Sequence, residues 1–82
     1  MATKYPKLTC ENADDVRLLR TRLGLRQDKF WGRIGVKQSA GSRYESGGNP
    51  LALHVAWLLH IAYGTKTDAD ELIAWLRQPR DE

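Results

Sequence analysis

The fold is decided by the segment from Arg20 to Gly47, which reads RTRLGLRQDKFWGRIGVKQSAGSRYESG. Two short helical stretches are predicted within it, from Gln27 to Ile34 and from Gln38 to Ser46, and Gly35 stands between them. Glycine adopts the left-handed backbone conformation at little cost, so it suits a sharp turn between two helices. Two short helices joined in this way, the second rich in small polar residues, are typical of a helix-turn-helix motif. We therefore predict this motif at about residues 27–47.

Helix signals on either side of the motif predict three further helices. Asn12, followed by two aspartates, is a suitable N-cap for a first helix that ends at Gly24. A fourth helix is expected to start at Asn49-Pro50, because asparagine caps helices and proline suits the first helical position. This helix should end at Tyr63, before Gly64, and Thr67 is expected to cap a fifth helix at about residues 68–78.

The chain as a whole is predicted to be all-α. No segment shows the alternation of polar and apolar residues that is typical of a half-buried strand. The 82 residues, of which 41% are hydrophobic and 28% charged, are enough for one compact domain and too apolar for a disordered chain. We expect a single five-helix domain over residues 1–82, with an N-terminal arm at residues 1–11.

Positive charge is concentrated in one third of the chain. Between Arg17 and Arg43 there are eight cationic residues and one acid, Asp28, which gives this segment a charge of +7, whereas the whole chain carries +3. Such a distribution indicates either a surface for a polyanion or a solvated face of long side chains. Charge alone does not separate the two readings.

Several positions of the motif region agree at once with one known family: Leu23-Gly24-Leu25, Gln27, Phe30, Gly35-Val36, Gln38 and Tyr44-Glu45-Ser46-Gly47. This pattern resembles the Cro and phage-repressor-type family, also called XRE-like, of bacterial and phage regulators. The resemblance covers roughly residues 16–63. It implies a lambda-repressor-like domain that binds double-stranded DNA sequence-specifically as a transcriptional regulator, most simply a repressor.

The second helix of the motif provides the candidate DNA-reading side chains. If Val36 and Tyr44 pack inward, one polar face points outward, and glutamine, arginine and serine can hydrogen-bond to base edges. The expected base-reading residues are Lys37, Gln38, Ser39, Ser42 and Arg43. The expected phosphate contacts, in part implied by the resemblance, are Arg26, Gln27, Ser46, Gly48 and Asn49. The resemblance also implies an ion pair between Arg20 and Glu45.

The chain departs from the family pattern at four positions. Arg26 and Lys37 stand where the family usually has serine or threonine caps, so two cations lie at the positive ends of two helix dipoles. A bound phosphate would make both favourable, and we therefore interpret both as DNA contacts. Trp31 and Gly41 replace a small and a branched residue respectively. We expect them to face each other and to conserve the total volume.

Other residues indicate no catalytic chemistry. The lone Cys10 cannot form an intramolecular disulfide, His54 and His60 should lie on different helix faces, and no nucleophile, base and acid are suitably spaced. We expect no enzyme, cofactor or metal, and a cytoplasmic protein without a membrane segment. The apolar fourth and fifth helices favour a homodimer. An antitoxin-like or other protein-interaction module that binds a toxin is the main alternative function, and a small-molecule sensor is a weaker one.

Overall fold

The computed structural model describes residues 4–79, and the expected N-terminal arm and the expected 1–82 domain both extend beyond this range. The described part contains five helices and no strand, so the all-α prediction is confirmed. In chain order the helices are α1 Ala13–Leu23, α2 Gln27–Gly32, α3 Gln38–Ser46, α4 Leu53–Tyr63 and α5 Lys66–Leu76.

Gly24 and Gly47 end helices as the sequence predicts, and Gly35 lies in the turn between α2 and α3. Gly24, Gly35 and Gly47 have φ angles of 69°, 76° and 81°, in the left-handed region that favours glycine. Gly24 and Gly47 are the C-caps of α1 and α3. At the other end of α1, the Asn12 side chain accepts a hydrogen bond of 2.9 Å from the Asp15 N–H. The predicted limits of α1 and α3 are therefore confirmed.

Helix α2 is two residues shorter than predicted. It ends at Gly32, and the backbone N–H groups of Ile34 and Val36 both donate to the Trp31 carbonyl, at 3.2 and 3.0 Å. These bonds close a tight turn in place of a further helical turn. The short connection brings α3 directly against α2.

The predicted starts of α4 and α5 are wrong. Asn49 and Pro50 lie in a connection, and α4 begins at Leu53 with Ala52 as N-cap. Leu51 packs against both hydrophobic clusters, so this connection serves tertiary packing, which overrides the local helix signal. Helix α5 begins two residues early because Thr65, not Thr67, is the cap.

Thr65 forms a capping box with Asp68. The Thr65 hydroxyl accepts from the Asp68 N–H at 3.0 Å, and the Asp68 carboxylate accepts from the Thr65 N–H at 3.3 Å. Two otherwise unsatisfied amide groups are thereby satisfied. Lys66 adds an ion pair of 2.9 Å to Asp70 one turn later.

Two hydrophobic clusters form the core. The larger, the motif cluster, joins α1, α2 and α4, and its buried members are Cys10, Val16, Leu19, Phe30, Trp31, Val55 and Leu59. The smaller, the C-terminal cluster, joins the N-terminal segment to α4 and α5, and its buried members are Leu8, Ala56 and Leu72. Tyr5, Trp57 and Trp75 surround the C-terminal cluster with edge-to-face ring contacts.

A buried histidine attaches the N-terminal segment to α4 and α5. His60 Nδ1 accepts the Thr9 N–H at 2.9 Å, and His60 Nε2 donates to the Asp68 carbonyl at 3.1 Å.

The neighbouring Cys10 is fully buried, and this burial raises the pKa of its thiol to about 11. The thiol therefore stays protonated and unreactive at neutral pH. His54, in contrast, is exposed.

Several large apolar side chains lie at the surface. Leu23, Leu58 and Ile73 are exposed to 44%, 42% and 38%. The helices are short and each packs on few neighbours, so only a narrow stripe of each is covered.

None of the helices within residues 4–79 combines the length and apolar character needed to cross a bilayer.

Candidate nucleic-acid interface

Helix α3 presents one polar face to solvent. Gln38, Ser39, Ser42 and Arg43 are exposed, and so is Lys37 immediately before the helix. Gly41 and Glu45 are buried on the opposite side, and Tyr44 packs against the motif cluster. The five candidate base-reading residues are thus all accessible together.

The exposed face of α3 carries positive charge and no free carboxylate. The one acid in this helix, Glu45, is only 3% exposed. Its carboxylate accepts from Arg20 Nε at 2.9 and 3.0 Å, and an Arg20 terminal nitrogen lies 2.9 Å from Glu45 Oε1. Arg20 also donates to the Leu25 carbonyl at 3.0 Å. Because the buried acid is paired, Lys37 and Arg43 determine the charge that α3 presents.

Trp31 ties α3 to α2 on the same buried side. Its indole N–H donates to Glu45 Oε2 at 2.7 Å, and its ring centroid lies 5.6 Å from that of Tyr44. A Cβ atom added to Gly41 would lie closer than 3.0 Å to the Trp31 ring, so only glycine fits there. The expected size exchange between Trp31 and Gly41 is therefore confirmed.

Helix α2 is in turn fixed on α4. The rings of Phe30 and Tyr63 stack with centroids 4.6 Å apart, and the Tyr63 hydroxyl donates to the Phe30 carbonyl at 2.7 Å. The Arg33 guanidinium lies 5.3 Å from the centroid of the Tyr63 ring. Burial raises the pKa of Tyr63, an effect that Arg33 partly opposes. These contacts attach α2 to the end of α4.

Both helices of the motif begin without a side-chain cap. Arg26 and Lys37 occupy the N-cap positions of α2 and α3, and neither side chain makes a capping hydrogen bond. Arg26 instead forms an exposed ion pair of 3.3 Å with Asp28. The first backbone N–H groups of these helices therefore have no side-chain acceptor, and cations lie next to them. Such an environment favours a bound anion.

The other candidate phosphate residues differ in what they can offer. Gln27 is the first residue of α2 and is half-buried, whereas Ser46, Gly48 and Asn49 are exposed. The backbone N–H groups of Gly48 and Asn49 donate to the Arg43 carbonyl, at 3.0 and 3.3 Å. Because these two backbone N–H groups are already used, the Asn49 side chain is more available to a phosphate than the loop backbone is.

Sequence reasoning missed two contacts that hold α3. Arg17 of α1 donates to the backbone carbonyl of Glu45, near the C-terminal end of α3 where a cation is favourable. The bond from the Trp31 indole to Glu45 was also unforeseen, because the two residues lie on different helices and no local pattern pairs them. The available signal was an acid, Glu45, next to an aromatic residue just after the cationic segment. Within residues 4–79 no group of three or more acids, histidines or cysteines could hold a metal ion.

A family model described as an RsaL-like HTH domain matches residues 17–62, which is more than half of the chain. The chain belongs to the RsaL-like helix-turn-helix family. The matched region runs from α1 through α4, and it includes the whole α2–α3 motif. Searches of curated proteins and of solved structures return no significant match.

Proposed function

We propose that this RsaL-like domain binds double-stranded DNA sequence-specifically and acts in the cytoplasm as a transcriptional repressor of the Cro and phage-repressor type. The observation that carries the proposal is the exposed, acid-free polar face of α3, opposite a buried attachment to α1 and α2. A helix presented in this way has the dimensions and side chains to enter a major groove. Occupying a promoter would then block transcription.

Three groups of residues divide the work of DNA binding. Cations from Arg17 to Arg43 attract the duplex, and their counterion release makes affinity depend on salt. Phosphate contacts by Arg26, Gln27 and Asn49 fix the register without reading sequence. Ser46 and Gly48 join them when the Ser46 hydroxyl and the Gly48 N–H turn from the Arg43 carbonyl to a phosphate. Lys37, Gln38, Ser39, Ser42 and Arg43 face the groove, where glutamine matches adenine and arginine matches guanine.

The test starts with selection of duplexes from a random-sequence pool by the wild-type protein. The enriched duplex and a shuffled duplex of the same composition then serve as probes for two variants, Arg43→Ala and Lys37→Ala. Arg43→Ala should relax preference at one base position, because it removes a base contact. Lys37→Ala should weaken binding to both duplexes and reduce the salt dependence, because Lys37 lies at the N-terminal edge of the base-reading face, where its charge also attracts phosphate.

The proposal is contradicted if selection enriches no sequence. It also fails in its assignment of base-reading residues if both variants lose the same factor of affinity for both duplexes.

We also propose that the DNA-binding form is a homodimer. Leu53 and Leu58 of α4 and Ile73 of α5 are large apolar residues exposed to 44%, 42% and 38%. A symmetric dimer would cover such residues and would recognise two half-sites about 34 to 36 Å apart. Sedimentation equilibrium should give twice the monomer mass, and selected sites should be palindromic. A monomer that selects unpaired half-sites would contradict the dimer.

The same exposed leucines and isoleucine favour one second candidate, an antitoxin-like protein-interaction module in which α4 and α5 bind a toxin or another protein. Stoichiometric co-purification of one protein from the native host, lost in Leu58→Asp, would support it. A regulator could combine both activities.

A further inference from the structure

Trp31 contacts α3 at three points that all lie on its buried side. The indole ring covers Gly41, its centroid lies 5.6 Å from the Tyr44 ring, and its N–H donates to Glu45 at 2.7 Å. Trp31 itself is fully buried. This one side chain of α2 therefore contacts two successive turns of α3.

The hydrogen bond to Glu45 constrains α3 in a way that the ring packing does not. Gly41 has no side chain to interlock with the indole, so this contact alone does not fix the rotation of α3 against α2. A charge-assisted hydrogen bond is directional and short. Because Arg20 holds the same carboxylate from α1, the Glu45 carboxylate is the point where α1, α2 and α3 are joined.

We propose that Trp31 is a positioning residue for DNA recognition, and that its indole N–H sets the rotation of α3 through Glu45. The inference rests on the proposed function. A helix with its side chains is about 10 to 12 Å across, so a rotation of about 10° moves its outer surface by about 1 Å. Binding groups must be held to within about 0.5 Å to keep their hydrogen bonds. Losing the N–H therefore misplaces Gln38, Ser42 and Arg43 without removing any of them.

The experiment compares the same substitution at two tryptophans. Trp31→Phe keeps a buried aromatic ring and removes the donor to Glu45. Trp57→Phe is the matched control, because Trp57 Nε1 is buried with no hydrogen-bond partner within residues 4–79. Affinities are measured at one salt concentration for the duplex selected by the wild type and for its shuffled version, after thermal unfolding has shown which variants are folded at the assay temperature.

We expect Trp31→Phe to lower the ratio of specific to shuffled affinity about tenfold or more, which is the discrimination that one well-placed base contact supplies. Affinity for the shuffled duplex should stay the same, since every cation remains. Repeating the selection with Trp31→Phe should give broader base preference at several adjacent positions. Trp57→Phe should leave both the ratio and the preference unchanged.

An unchanged ratio in folded Trp31→Phe overturns the inference and leaves the proposed function standing. A wild-type protein that does not distinguish the two duplexes contradicts the proposed function itself. If Trp31→Phe does not fold, the benzothiophene analogue of tryptophan at position 31 decides, because it keeps the shape of the ring and lacks the N–H. A lowered ratio with this analogue supports the inference, and an unchanged ratio overturns it.

Discussion

Different kinds of contact stabilise the interior of each half of the molecule. In the half formed by α1, α2 and α3, the buried Glu45 carboxylate accepts hydrogen bonds from Arg20 and Trp31. In the half formed by α4 and α5, Ala56 and Leu72 pack among edge-to-face aromatic rings, and the buried His60 hydrogen-bonds to backbone groups of Thr9 and Asp68. A network of charged side chains holds the helix whose orientation would decide function, whereas apolar packing and a neutral contact to the backbone hold the other half.

The largest effect should come from the apolar half. Leu72→Ala removes a fully buried side chain from the C-terminal cluster and should cost about 2 to 5 kcal/mol of unfolding free energy. Leu18→Ala is the matched control, because Leu18 is the same type of residue and is 60% exposed. Its cost should be well below that of Leu72→Ala. Urea unfolding followed by tryptophan fluorescence measures both, and equal losses would show that burial in α5 is misassigned.

The next effect should come from the contact between α2 and α3. Gly41→Ala drives a methyl group into the Trp31 ring and should cost about 1 to 3 kcal/mol. In Gly32→Ala the added Cβ meets nothing within 4 Å, so this control should be neutral or stabilising by up to about 1 kcal/mol. Thermal unfolding of the two variants checks the contrast. A harmless Gly41→Ala would mean that Trp31 can move aside.

The smallest effect should be a gain in stability at the start of α3. Lys37→Ser supplies the missing cap and removes a cation from the positive end of the dipole, for about 1 kcal/mol of added stability. The same variant should bind DNA more weakly. Arg22→Ser, which removes a cation inside α1, should not stabilise the protein. If Lys37→Ser is no more stable than the wild type, the vacant cap carries no cost.

In the half formed by α1, α2 and α3, much of the local structure could be predicted from the sequence. The limits of α1 and α3 follow from single residues, because Gly24 and Gly47 adopt φ angles that favour glycine and Asn12 makes its capping bond. The exposure of one face of α3 could be predicted because the side chains on that face are polar. The contact between Trp31 and Gly41 was also predictable, because one residue is larger and the other smaller than the family pattern at two sites that face each other.

What the sequence could not give depends on tertiary contacts. Asn49 and Pro50 are a strong helix start in isolation, yet packing of Leu51 keeps this segment out of α4. Thr65 and Thr67 are each followed three residues later by an aspartate, so local pattern could not choose between two overlapping caps. The bond from Trp31 to Glu45 forms only when α2 and α3 have packed against each other.

The outer face of α3 should contact DNA, and the α5 side of the molecule should not. The most direct measurement is an NMR titration of the labelled protein with the selected duplex at low ionic strength. Backbone amide signals from Gln38 to Arg43 should shift, and those from Lys66 to Leu76 should move little. If the signals from Gln38 to Arg43 stay in place while the duplex is bound, the account is contradicted.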